Sequence, residues 1–176
     1  KVAVYKENLY KPMPGYRFIA SNTDRSRYYV GELNGKSSKQ AYMDALHISE
    51  SNIINQTFHN PLGKMNGQDI CIISLKEVSG NGLCCYRQVN DSDVLVLLEE
   101  QDYNEILDET LQRIRRDFNH ISGVFSINCV FRYLLFSQEH HMEDYLKTMS
   151  TLGDHAGLIG FGEHYNQQPD HDLCRI

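Results

Sequence analysis

The chain has 176 residues, 41% of them hydrophobic and 23% charged, with a formal net charge of −6. That length supports one domain, or one large domain with a small appendage, and a core that needs no metal or disulfide staple. The acidic balance argues against a nucleic-acid face, which relies on clustered Lys and Arg, and no run of about 18 apolar residues offers a transmembrane helix.

In chain order, residues 1–15 read as a linker or a strand from a preceding half, because Lys11-Pro12-Met13-Pro14-Gly15 is a turn signal. The sequence starts at Lys1 without Met, and we read it as a piece of a longer protein. Tyr16–Ala20 and Tyr28–Leu33 read as strands joined by a turn at Asn22-Thr23-Asp24, and Asn34-Gly35 favours the positive φ of a tight turn. Ser37 or Ser38 would cap a helix over about Lys39–Leu46. His59-Asn60-Pro61-Leu62-Gly63 is a loop signal. Ile70–Val78 and Leu83–Val89 flank Gly80-Asn81-Gly82 and predict a hairpin, and Val94–Leu98 a further short strand.

Asp102 with Glu105 three residues on forms a capping-box pattern. The helix behind it carries Tyr103, Ile106, Leu107, Leu111, Ile114 and Phe118 at helical spacing. Arg113, Arg115 and Arg116 lie on that helix among Asp108, Glu109 and Asp117, which reads as a solvated face. Gly123 restarts strand character through Val130, and Met142, Tyr145, Leu146, Met149 and Leu152 mark one more helix. The order predicts an α+β fold, a largely antiparallel sheet with about three helices packed on it.

Two apolar runs carry most of the functional signal. Phe125–Arg132 and Gly157–Glu163 read as adjacent strands, each delivering one charge at its end, Arg132 or Glu163, with Cys129 beside them. Arg suits a carboxylate and Glu accepts from an ammonium. The two would therefore hold an amino-acid-like zwitterion or pair with each other, and both readings stay open. Gly157, Gly160 and Gly162 allow close backbone approach or tight strand packing.

Other chemistry is less well supported. The eight histidines form no HExxH or Cys/His ligand spacing, so no metal and no cofactor is expected. A thiol-dependent enzyme would use Cys129 with His155 or His164 as base. Apolar neighbours raise a thiol pKa, however, and make it inert, and no Gly-x-Ser-x-Gly elbow is present. The chain is therefore read as non-catalytic. Five cysteines without a Cys-x-x-Cys pair read as reduced thiols in a cytoplasmic protein.

The same residues resemble the C-terminal half of the FIST domain, a sensory module of signal-transduction and F-box proteins. Its Phe-Ser-Cys-like segment followed by Gly-Arg is matched by Phe125, Ser126, Cys129 and Arg132, with Phe131 where glycine is usual. Its Gly-Phe-x-[Ser/Thr]-Phe-Gly-Glu segment is matched by Gly157, Phe161, Gly162 and Glu163, while Leu158 and Gly160 depart from it. Tyr29–Lys36 with Ala41 and Tyr42, and Pro61-Leu62-Gly63, match upstream, so the colinear resemblance runs over about residues 16–163, within a domain read as 16–168. The tail, 169–176, differs from the family's last strand.

The resemblance implies binding of a small polar metabolite such as an amino acid. Arg132 and Glu163 would anchor it, and Cys129, Asn128, Gly157, Phe161 and Gly162 would line the pocket. It also implies two partners in the parent chain: a FIST N-terminal half and a signalling output domain. A pure interaction domain in an F-box protein is the other non-catalytic reading. No nucleic acid and no membrane contact is expected.

Overall fold

The computed structural model describes residues 2–66, 69–161, 164–165 and 174–175. It divides into two compact units, Tyr10–Gln101 and Lys1–Leu9 with Asp102–Ile176.

The Tyr10–Gln101 unit is a curved antiparallel sheet. Its strands are β1 (Tyr10–Asp24), β2 (Tyr29–Leu33), β3 (Lys36–Ser37), β4 (Leu62–Asn66), β5 (Asp69–Ile73), β6 (Leu75–Ser79), β7 (Gly82–Cys85) and β8 (Val94–Glu100). They run in the order β5-β4-β8-β1-β2-β7-β6, with β3 paired to β2. Only Ser74 separates β5 from β6, the two end strands of that order, so the sheet must curl back on itself. The core of this unit includes Val30, Leu33, Leu62, Ile73, Leu75, Leu83, Leu95 and Leu97, all buried.

Helix α1 (Ser38–Leu46) adds Ala41 and Tyr42 to that core. Ser37 is its N-cap, accepting from the Gln40 N–H, whereas Ser38 is buried and donates its hydroxyl to the Val30 carbonyl at 2.6 Å. A 3-10 turn (Glu50–Asn52) and α2 (Ile53–Gln56) complete the unit.

Three local expectations change here. The Lys11–Gly15 segment lies inside β1 rather than in a linker. Against β8, Pro12 pairs with Leu98 and Arg17 with Val96, so the residues between them bulge past Leu97. A bulge tolerates prolines that cannot donate to a ladder, and Gly15 there adopts φ 85°. The first turn falls at residues 25–28, and Asn22 sits within β1 at φ 54°. Ile70–Val78 is two strands, of which only β6 forms the hairpin with β7 across Gly80 and Asn81.

The second unit opens with an irregular segment, 2–9, and continues with α3 (Tyr103–Asp117), β9 (Val124–Cys129), α4 (Val130–Gln138), α5 (Met142–Ser150) and β10 (His155–Gly160). Asp102 caps α3, accepting from the N–H groups of Asn104 at 2.9 Å and Glu105 at 3.3 Å. Strands β9 and β10 pair in parallel, from Val124 opposite His155 to Cys129 opposite Gly160. A parallel pair needs a long crossover, and two helices supply it. Leu135, Phe136, Tyr145 and Met149 form the buried side of these helices, and Leu152, just past α5, is buried as well. Two short strands, β11 (His164–Tyr165) and β12 (Cys174–Arg175), pair antiparallel.

The fold is α+β with a mainly antiparallel sheet, as the element order predicts. The departure that bears on function is α4. Val130 begins a helix, so Arg132 stands in its first turn and not at a strand end. Among the described residues no helix is long and apolar enough to cross a membrane.

Candidate functional site

Side chains on β9 and β10 alternate between two faces. The register places Ser126, Asn128, His155 and Gly157 on one face, and Phe125, Ile127, Cys129 and Leu158 on the other. On the first face Ser126 Oγ lies 2.9 Å from His155 Nε2. Gly157 sits opposite Ser126, where any Cβ would collide with the Ser126 hydroxyl. Asn128 bonds the Tyr145 hydroxyl of α5, with 3.2 Å from its Nδ2 and 3.3 Å from its Oδ1. On the other face Phe125 and Ile127 stand exposed. Cys129 also belongs to that face, away from His155, and its position at the N-cap of α4 carries no side-chain capping bond.

Arg132 is the centre of a buried polar cluster. Its Nη1 donates to Glu7 Oε2 at 2.6 Å, and the two side chains are 14% and 12% exposed. The guanidinium lies over the Phe136 ring at 5.0 Å and the Tyr145 ring at 5.1 Å, favourable cation–π distances. Phe136 follows Arg132 by four residues on α4, which stacks the two on one helix face. The ring of His141, between α4 and α5, packs edge-on against Phe136 at 4.9 Å and tilted against Tyr103 at 4.4 Å.

Four buried polar atoms here lack a hydrogen-bond partner among the described residues: Arg132 Nε, Arg132 Nη2, Glu7 Oε1 and His141 Nε2. An orphaned buried group costs about 1–3 kcal/mol, so such a concentration calls for an explanation. The chemistry of the set is specific. Nε and Nη2 form one edge of the guanidinium, the geometry that grips a carboxylate with two parallel bonds. Glu7 Oε1 is the unpartnered acceptor of the carboxylate that meets Nη1. A molecule carrying a carboxylate and an ammonium would satisfy all three atoms.

Of the predicted site residues, Arg132 and Asn128 thus lie around Tyr145, and Gly157 shares the Asn128 face. Phe161 is 94% exposed. Glu163 and Gly162 fall outside the described residues, so the expected Arg132–Glu163 relation has no structural description. The acid that meets Arg132 is Glu7. The sequence reading missed Glu7, Phe136, His141 and Tyr145 as site residues. The spacing of Arg132 and Phe136 would have revealed part of the cluster once residues 130–138 were read as a helix. Nothing local marks Glu7. A separate open cleft of about 500 Å³, lined by Arg115, Phe118, Asn119, His120, Ile121, Thr151 and Leu152, contains none of these residues.

Of the four described thiols, Cys84 and Cys85 are buried, whereas Cys71 and Cys129 are only partly so. Cys71, Cys84, Cys85 and Cys129 are in no disulfide. Burial, reinforced by the neighbouring Cys84, pushes the Cys85 thiol up to about 12.

Neither curated proteins nor solved structures gave a match to this chain. The family model of the FIST C domain matches residues 39–166, and that span reaches from α1 to β11 and includes Arg132 and β10. The chain belongs to the FIST C family, sensory domains of signal transduction.

Proposed function

We propose that this domain senses a small polar metabolite, an α-amino acid, without transforming it. Arg132 takes the ligand carboxylate on its Nε–Nη2 edge, and Glu7 Oε1 takes the ammonium. Phe136 and Tyr145 wall the site, with Asn128 and Gly157 on the adjoining sheet face. The observation that carries this reading is the complementary set of buried, unpartnered atoms on Arg132 and Glu7. The existing ion pair need not break, because Glu7 occupies only Nη1. A zwitterion adds no net charge to a buried site, and so avoids the desolvation penalty of an unpaired ion.

Glu7 stands on a segment without helix or strand ladder, which can lift to admit the ligand and settle on it. Reduced cysteines fit a cytoplasmic setting. Membership of the family implies a signalling role alongside a FIST N-terminal half, and we infer an output domain in the parent chain that receives the signal.

The test is Arg132→Lys. Lysine keeps the charge opposite Glu7 but lacks the two-donor edge. The expected result is a melting temperature close to wild type, with amino-acid affinity lowered about tenfold to a hundredfold, the worth of a charged hydrogen bond. Unchanged affinity for an amino acid that wild type binds would remove Arg132 from the site.

A further inference from the structure

The fourth orphaned atom, His141 Nε2, is not used by the amino and carboxylate groups of a ligand. We infer that it reads the ligand side chain, and that the preferred ligands are amino acids with a neutral hydrogen-bonding side chain, an amide or a hydroxyl. This inference rests on the amino-acid reading of the Arg132–Glu7 site. Three observations support it.

The first is place. Arg132 and His141 both pack on Phe136, its guanidinium carbon at 5.0 Å and its ring centre at 4.9 Å from the centre of that ring. A ligand fixed at Arg132 thus shares the Phe136 ring with His141.

The second is orphaning. Nε2 is buried without a partner, although the backbone around it is fully engaged: the His141 N–H donates to the Phe136 carbonyl at 2.8 Å, and its carbonyl accepts from the Tyr145 N–H at 3.0 Å. The ring is held between Tyr103 and Phe136, so it cannot turn to solvent without losing both contacts. A site that buries an unpaired polar atom rejects an analogue unable to pair with it.

The third is charge. Arg132 and Glu7 already balance each other, and a zwitterion balances itself. A charged side chain would add an uncompensated charge to a pair and a ligand that are each already neutral. An imidazole nitrogen pairs with a neutral amide or hydroxyl in either tautomer.

The experiment compares isosteric pairs by calorimetric titration of the full chain: asparagine against leucine, and threonine against valine. The polar member of each pair is expected to bind wild type at least about tenfold more tightly. His141→Phe, which keeps the aromatic packing, should abolish that preference by weakening the polar members and sparing the apolar ones. His141→Gln, which retains a hydrogen-bonding group, should restore part of it. Equal or tighter binding of leucine and valine by wild type would overturn the inference while leaving the Arg132–Glu7 reading intact. A preference that persists in His141→Phe would also overturn it. Absence of binding by every one of these amino acids overturns both readings together. The wild-type comparison needs no variant, so it decides even if a substituted chain does not fold.

Discussion

Arg132 shows how much one side chain can constrain a function. Only its Nη1 meets a carboxylate, while two nitrogens on the opposite edge stay buried and unpaired. Arginine at the end of an apolar run is conspicuous in the sequence, which is why Arg132 could be singled out without a structure. Glu7 could not, because 125 positions separate it from Arg132 and its own neighbours read as linker. A long-range ion pair leaves no periodicity to detect.

Not every charge pair in the chain has this character, and Asp93 supplies a contrast. Its burial favours the protonated form, but it is outweighed by a hydrogen bond from Lys64 at 2.5 Å and one from the Asn90 N–H at 2.9 Å, so its pKa is lowered. A lowered folded-state pKa adds stability above the unfolded value, and that stability is lost as pH falls through the folded one. Denaturant unfolding should therefore weaken below about pH 4 in wild type, whereas Asp93→Asn should be less stable at neutral pH and flatter through the acid range. An identical acid slope in both proteins would show that the Lys64–Asp93 pair contributes nothing.

At the scale of elements, α3 and α5 were legible from an apolar stripe and α1 from its serine cap, whereas α4 offered neither signal. The α3 pattern, from the Asp102 cap to Ile114, is visible in sequence because polar residues separate the apolar ones. Val130–Gln138 is apolar on nearly every side and rich in aromatic residues, so period alone cannot distinguish it from a buried strand. Packing settles the matter: Leu135 and Phe136 are buried between strands and α5. Misreading this element moved Arg132 from a helix face to a strand rim and concealed its alignment with Phe136.

The irregular segment 2–9 carries a prediction at the same scale. It is pinned within its unit by Glu7 on Arg132, by the Tyr5 hydroxyl donating to Asp117 at 2.7 Å, and by Arg113 over the Tyr5 ring at 5.5 Å. No ladder holds its backbone. Hydrogen exchange at residues 2–9 should be fast in the absence of ligand and slow when asparagine is bound, because the ammonium fastens Glu7. Exchange at 2–9 that does not respond to a bound amino acid would exclude Glu7 from the site.

Across the whole molecule, the α+β class and the FIST C membership were both readable, since each rests on element type and on motifs in fixed order. The sheet order was not. Consecutive strands usually lie side by side, yet β5 and β6 end up at opposite ends of the strand order with only Ser74 between them. The adjacency of β9 and β10 was legible from two similar apolar runs, and their parallel direction follows from the helices between them.

A site that recognises both ends of an amino acid must distinguish the whole molecule from either half. The most direct test is calorimetric titration of the chain with asparagine, with succinamate, which lacks the amino group, and with β-alaninamide, which lacks the carboxylate. Asparagine should bind, and each analogue should bind at least about tenfold more weakly, since each leaves Glu7 or Arg132 unpaired. Equal affinity for asparagine and either analogue would contradict a site that recognises both ends.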